Sequence, residues 1–169
     1  MNLIQATEQD FQRITQFYRD VIAHTGHMDT YARWVYGKHP TDEMIRGYIR
    51  NGAMYCCEKD GSILSSVAVT QQGEDYHGAA WAFPLRDDGV SVVHLLCVAP
   101  EWQGKGIACM TMQQIMVLSR EMGKKRCGCM HWLATRPHIG FMNPLAFRNR
   151  ISGGGMRIMW AGLIFSYTR

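Results

Sequence analysis

The chain has 169 residues, of which 47% are hydrophobic and 19% are charged, and its formal net charge at pH 7 is +4. This length suits a single domain over residues 1–169, and no apolar run reaches the roughly 18 residues that span a membrane. The net charge is modest and no recognisable basic module is present, so nucleic acid and membrane are not expected partners. The first residues lack a basic and apolar leader, which predicts a cytoplasmic protein.

Two helices are predicted in the first third of the chain. Thr7 is a typical helix cap, and the apolar residues that follow at helical spacing predict a helix over residues 8–23. Thr41, followed by two acidic residues, opens a second helix that ends at Gly52. An aromatic segment lies between the two helices and carries Tyr31, Trp34, Tyr36, Lys38 and His39.

Short extended runs replace the helical pattern from residue 53 onward. Asp60 and Gly61 separate two β-rich runs and predict a tight hairpin. Residues 78–85 are a further candidate strand, and the apolar run at residues 90–98 predicts a buried central strand. Apolar residues at spacings of three and four after Gly106 then predict a helix that ends at the following glycine, Gly123.

The chain has six cysteines, none with the spacing of a zinc site. In a cytoplasmic protein such a set predicts free thiols, with neither disulfides nor a metal. The six are Cys56, Cys57, Cys97, Cys109, Cys127 and Cys129.

The link between the central strand and the following helix reads QGKGIA, residues 103–108. A helix start of this kind leaves backbone N–H groups unpaired at the positive end of the helix dipole, which is typical of an anion site. Glycine lets a ligand approach the main chain closely, and Lys105 adds positive charge. A plain tight turn is the alternative interpretation. Two common phosphate motifs are excluded, because G-x-x-x-x-G-K-[ST] is absent and Cys109 stands where G-x-G-x-x-G requires glycine.

This loop resembles the Q/R-x-x-G-x-G/A signature of the GNAT superfamily of acyl-CoA-dependent N-acetyltransferases, with Gln103, Gly106 and Ala108 at its fixed positions. The stretch LLCVAPEWQGKGIA is similar to the family's whole strand-loop-helix unit, and the resemblance extends over residues 3–125. It implies an α/β (α+β) fold, namely a mixed, mostly antiparallel sheet that is flanked by helices. The central strand pair of that sheet would splay open after Val98.

The resemblance also implies acetyl-CoA as cosubstrate, without a metal. The pantetheine arm would pair with the main chain of Leu96, Cys97 and Val98. Gln103, the first residue of the signature, is also a predicted cofactor-binding residue. The pyrophosphate would lie on the N–H groups of the residues that follow it. These are the N–H groups of Gly104, Lys105, Gly106, Ile107 and Ala108.

Acetyl transfer to a primary amine needs a base, because an alkylammonium group must first lose a proton. The glutamate that some family members carry on this strand corresponds to Val92 here. His94 lies two residues later on the same face and is the candidate base, although a histidine in an apolar strand also fits a structural role. A main-chain N–H near Cys97 or Val98 is the candidate oxyanion donor. The Cys97 thiol fits a nucleophile less well, since the family transfers the acetyl group directly.

Three functions fit these features. The first is an N-acetyltransferase that modifies a primary amine of a small molecule or protein by direct attack. The alternative is a non-catalytic acyl-CoA-binding module that lacks the catalytic acid, and a nucleic-acid-binding regulator is a weaker third. The aromatic segment lies where the family borders its acceptor site, or it packs in the core. The acceptor and a homodimer are left open.

Residues 126–169 depart from the family pattern, which continues with an N-x-x-A-x-x-L-Y-E-x-x-G-F segment whose tyrosine can protonate the departing thiolate. When the codons allowed for residues 127–147 are read from their third bases, they permit ALASNTPAHRLYESLGF, with the tyrosine encoded across Phe141 and Met142. We hypothesise that the reading frame shifts near Lys125 and Arg126 and that the tail is an out-of-frame product. Codons incompatible with that reading would contradict the hypothesis; if it holds, the activity of this chain is in doubt.

Overall fold

A computed structural model describes residues 2–71, 89–124, 126–129 and 157–160. Short 3-10 turns at Glu8–Asp10 and Pro100–Trp102 precede two of the helices. The helices are α1 (Phe11–His24), α2 (Met28–Tyr31), α3 (Asp42–Arg50) and α4 (Ile107–Glu121). The strands are β1 (Leu3–Gln5), β2 (Met54–Lys59), β3 (Ser62–Gln71), β4 (Val90–Val98), β5 (Arg126–Cys129) and β6 (Arg157–Trp160).

Side chains close the starts of the first and third helices. The backbone N–H and the hydroxyl of Thr7 both donate to the carboxylate of Asp10, at 2.9 and 2.8 Å, at the 3-10 turn that leads into α1. The hydroxyl of Thr41 accepts a hydrogen bond from the N–H of Met44 at 3.1 Å and caps α3. Each helix start is therefore specified by residues within one turn of it.

The strands form one sheet in the order β1-β2-β3-β4-β5-β6. The pairs β1–β2, β2–β3 and β3–β4 are antiparallel, while β4–β5 and β5–β6 are parallel. Asp60 and Gly61 connect β2 to β3 with φ of +51° and +77°, the left-handed conformation that a two-residue hairpin turn requires. The mixed, largely antiparallel sheet confirms the predicted fold class.

Helices cover both faces of this sheet. On the face that we call the α1–α3 face, sheet residues pack against α1 and α3; these residues are Met54, Cys56, Ala68, Leu95 and Cys97. On the α4 face, Tyr55, Val67, Val69 and Val93 pack against Met112 and Ile115. Strand β4 lies between the two layers, and its carboxyl end leads directly to the glycine-containing loop.

Several predicted elements are confirmed. The helix over residues 8–23 corresponds to the 3-10 turn plus α1, the second helix is α3, and the central strand at residues 90–98 is β4. Strand β1 and helix α2 were not predicted, because three or four residues are too few to show a period. The candidate strand at residues 78–85 and most of the tail lie outside the described residues. Among the described helices, none combines the length and apolar character that crossing a bilayer requires.

Candidate active site at the start of α4

Two glycines shape the loop between β4 and α4. Gly104 and Gly106 have φ of +74° and +82°, a left-handed conformation that side chains with a Cβ rarely adopt. A Cβ built on Gly104 meets no described atom within 4 Å, so open space lies in front of this residue. The loop conformation therefore requires glycine, and the space beside Gly104 is accessible.

Helix α4 begins without a side-chain cap. Gly106 occupies the cap position, and the first turn of the helix contains no acidic residue. Among the described residues, no hydrogen bond of good geometry is donated by five successive N–H groups, those of Gly104, Lys105, Gly106, Ile107 and Ala108. Unpaired N–H groups at a helix start make a positive region that can bind an anion.

The side chain of Gln103 holds this loop in place. Its amide nitrogen donates to the carbonyl oxygen of Val98 and to the hydroxyl of Thr25, both at 3.1 Å. The loop is thereby tied to the end of β4 and to the residue that follows α1. No sequence pattern reveals this tie, because Gln103 and Thr25 are 78 positions apart.

Two lysines lie near one indole ring beside the loop. The ammonium nitrogen of Lys105 is 4.8 Å from the centroid of the Trp102 ring, and that of Lys59 is 5.6 Å from it. Both lysines are exposed. Their charges add to the positive potential at the start of α4.

Strand β4 contains a bulge. Its pairing with β3 passes from Ser66 opposite Cys97 to Ala68 opposite His94, so β4 has one extra residue between these two pairs. Leu95 lies in this interval with φ of +54°, an unusual conformation for a residue with a bulky side chain. The bulge places His94 and Leu95 next to each other on the α1–α3 face.

The described pairing between β4 and β5 lies on the amino-terminal side of the bulge. That pairing covers Val90 to Val93, opposite Arg126 to Cys129. The residues that follow β5 in the chain lie outside the described ones, so the opening of the sheet after Val98 stays a prediction. Residues 96–98, predicted to pair with the pantetheine arm, follow the bulge directly.

The candidate base His94 is engaged by two neighbours. Its Nε2 atom is 2.8 Å from the hydroxyl of Thr70, and its ring stacks on Tyr48 of α3 with centroids 5.8 Å apart. Val92, at the position of the glutamate that some family members carry, is fully buried. These contacts fit a structural histidine as well as a positioned base, and the role of His94 as the base stays a prediction.

The Cys97 thiol is buried, and burial raises its pKa well above the usual range. It stays protonated at neutral pH, which disfavours a nucleophilic role. Within the described ranges, no group of three or more His, Cys, Asp or Glu residues could hold a metal ion.

The aromatic segment between α1 and α3 divides between core and surface. Trp34 is buried with its ring edge-on to Tyr18, at a centroid distance of 6.1 Å, which favours the packing interpretation for this residue. The hydroxyl of Tyr36 donates to the carboxylate of Asp42, and the guanidinium of Arg19 lies 4.7 Å from the centroid of the Tyr36 ring. Lys38 and His39 are exposed, whereas the side chain of Tyr31 lies outside the described set.

The sequence matches the model of the acetyltransferase (GNAT) family over residues 13–143. This match covers most of the chain and confirms the resemblance found in the loop, so the chain belongs to the acetyltransferase (GNAT) family. The match also extends beyond residue 125, where the resemblance was seen to end. No protein with curated annotation matches the sequence significantly.

Solved structures of acetyltransferases have a similar fold. One Staphylococcus aureus protein assigned as an acetyltransferase is 20% identical, with a TM-score of 0.54 over 73% of this chain and 74% of its own. A GNAT-family acetyltransferase from Streptococcus agalactiae is 18% identical, with a TM-score of 0.53 over 69% and 68%. PaiA N-acetyltransferase from Thermoplasma acidophilum, solved with coenzyme A, is 10% identical, with a TM-score of 0.54 over 72% and 73%. At these identities the likeness shows the fold.

Proposed function

We propose that the protein is an N-acetyltransferase that transfers an acetyl group from acetyl-CoA to a primary amine of a small molecule or protein. The observation that carries this proposal is the run of N–H groups at the uncapped start of α4 that have no well-aligned partner among the described residues. A diphosphate supplies the acceptor oxygens and the negative charge that this helix start lacks. Gln103 and Gly106 of the signature lie in the loop itself, and Ala108 lies in the first turn of α4.

Acetyl-CoA, when bound, supplies the thioester that the amine attacks. The loop binds the pyrophosphate through the N–H groups of residues 104–108, and the main chain of residues 96–98 pairs with the pantetheine arm. A main-chain N–H near Cys97 or Val98 stabilises negative charge on the carbonyl oxygen. His94 is the proposed acceptor of the proton that the ammonium group loses.

A second candidate function is a module that binds acyl-CoA without catalysis. Two observations favour it: Val92 stands where some relatives carry a glutamate, and the ring of His94 is already engaged by Thr70 and Tyr48. Both candidate functions depend on the same loop, so they differ only in turnover. A cytoplasmic location, a single domain over the whole chain and a homodimer remain proposals.

Two measurements on one preparation distinguish the candidates. Calorimetry with CoA tests binding, and an assay of thiol release from acetyl-CoA with a panel of primary amines tests turnover. Binding with turnover on at least one amine supports the enzyme, whereas binding without turnover on any amine supports the module. A chain that is folded but does not bind CoA contradicts both.

A further inference from the structure

Tyr18 of α1 reaches across the core to the bulge of β4. Its side chain is fully buried, and its hydroxyl lies 2.9 Å from the carbonyl oxygen of Leu95 and 3.2 Å from the hydroxyl of Ser66. A carbonyl oxygen can only accept, so the Tyr18 hydroxyl donates its proton to Leu95. Burial raises the pKa of this hydroxyl well above the usual range, so it remains a donor at neutral pH.

This hydrogen bond falls on the one residue of β4 whose backbone is left-handed. Leu95 has φ of +54°, a conformation that costs a bulky residue free energy and persists only when its surroundings hold it. A bulge also disrupts the regular ladder of backbone hydrogen bonds, so a buried carbonyl at this position depends on a partner from outside the sheet. Tyr18 provides that partner.

The position of the bulge connects this contact to the cofactor. The bulge shifts the alternation of side chains by one residue, which places Leu95 and Cys97 on the α1–α3 face. Residues 96–98, which the proposed function pairs with the pantetheine arm, follow the bulge directly. A regular β4 would present a different set of main-chain groups from residues 96–98 on the β5 side.

We propose that Tyr18 is a positioning residue for the cofactor: by holding the carbonyl of Leu95, it maintains the bulge that directs the main chain of residues 96–98 toward acetyl-CoA. The proposal rests on the proposed function and adds a residue that the family signature does not contain. The described hydrogen bonds and ring contacts of Tyr18 include none to the loop after β4 or to α4. Tyr18 acts through the backbone of β4.

The test compares two substitutions that each remove a single hydroxyl from a buried tyrosine. Tyr18→Phe keeps the ring, including its edge-on contact with Trp34, and removes the hydroxyl that donates to Leu95 and contacts Ser66. Tyr55→Phe is the matched control, since Tyr55 is buried on the α4 face of the same sheet. Calorimetry gives the affinity for CoA, urea unfolding gives the stability, and amide hydrogen exchange reports on residues 95–98.

We expect Tyr18→Phe to weaken CoA binding about tenfold, because the Leu95 carbonyl then lacks its hydrogen-bond donor and a loss of this size is typical of one unpaired buried carbonyl. We also expect faster amide exchange at residues 95–98. Tyr55→Phe should leave both quantities unchanged, even if it lowers the stability equally. Should Tyr18→Phe be too unstable for calorimetry, the shift in melting temperature caused by CoA measures the same affinity through linkage.

Wild-type affinity in Tyr18→Phe, with binding intact in the unmodified protein, overturns this inference and leaves the proposed function standing. An equal loss of affinity in Tyr55→Phe also overturns it, because the effect would then follow general destabilisation. Failure of the folded wild-type protein to bind CoA overturns the proposed function and the inference together.

Discussion

Helices α3 and α4 begin in opposite ways. The start of α3 is closed by the hydroxyl of Thr41, and acidic Asp42 and Glu43 occupy its first turn. The start of α4 has a glycine cap, no acidic residue in its first turn, and N–H groups over residues 104–108 that have no well-aligned partner among the described residues. A side-chain cap contributes about 1 kcal/mol to stability, and a first-turn carboxylate adds a little more.

The start of α3 is stabilised by residues of the chain itself, whereas the proposed function assigns that part at the start of α4 to the diphosphate of acetyl-CoA. Acidic side chains at the start of α4 would stabilise the free protein and repel a diphosphate. Their absence is therefore informative about function, and it can be examined by changing one helix start at a time.

The largest expected effect comes from Gly106→Trp, with Gly123→Trp as its control. Both glycines flank α4 and both have a left-handed φ, +82° and +73°, so each substitution carries a similar backbone penalty of about 1–2 kcal/mol. The indole at position 106 covers the unpaired N–H groups, and we expect it to abolish CoA binding while the fold persists. The indole at position 123 should leave binding intact. Calorimetry checks both variants, and equal affinities would contradict the proposed loop site.

Reversing the charge beside the loop should have the next largest effect. Lys105→Glu places a carboxylate near the diphosphate and is expected to weaken CoA binding about tenfold, while the neutral control Lys105→Gln should cost roughly threefold. Both losses should shrink at high salt, since Lys105 is exposed. Titrations at two ionic strengths measure this. An affinity that does not respond to the sign of the charge would exclude Lys105 from the site.

Thr41→Ala tests the other side of the comparison. Loss of the hydroxyl leaves the N–H of Met44 without its cap, and we expect the free energy of unfolding to fall by about 1 kcal/mol. The affinity for CoA should stay the same, because α3 lies away from the start of α4. Urea unfolding and calorimetry on the same protein give both quantities. A change in affinity with no change in stability would reverse the roles assigned to the two helix starts.

The smallest effect is expected at the 3-10 turn before α1. The N–H of Thr7 is the main cause that lowers the pKa of Asp10 in the folded chain, with Arg13 acting in the same direction. Because the folded pKa lies below the unfolded one, this carboxylate stabilises the fold above about pH 4 and loses that contribution as the pH falls through the folded pKa. Asp10→Asn should therefore be less stable than the wild type at pH 6, and the difference should shrink toward pH 2. Urea unfolding across this range measures it; a difference independent of pH would contradict the assignment.

Much of the fold was predictable because its signals are local. The periods of α1, α3 and α4, the hairpin at Asp60 and Gly61, and the apolar run of β4 each occupy one short window of sequence. The loop was visible for the same reason, since its glycines and the signature lie within six residues.

The features that were missed depend on contacts between distant parts of the chain. Nothing in the sequence indicates that Leu95 is left-handed, because leucine is not a residue that favours this conformation. The hydrogen bonds from Tyr18 to Leu95 and from Gln103 to Thr25 join residues 77 and 78 positions apart. Such contacts follow only from the packing of α1 against the sheet. The hypothesis of a frame shift near Lys125 and Arg126 stays a prediction for the gene.

Two buried thiols on the α1–α3 face, those of Cys56 and Cys97, can report on unfolding of the molecule. Burial raises the pKa of Cys56 to about 12 and that of Cys97 well above the usual range. An alkylating reagent attacks the thiolate form, so neither cysteine reacts in the folded molecule at neutral pH. Each labelled Cys97 therefore marks a molecule that has opened, and the labelling rate measures how often that happens.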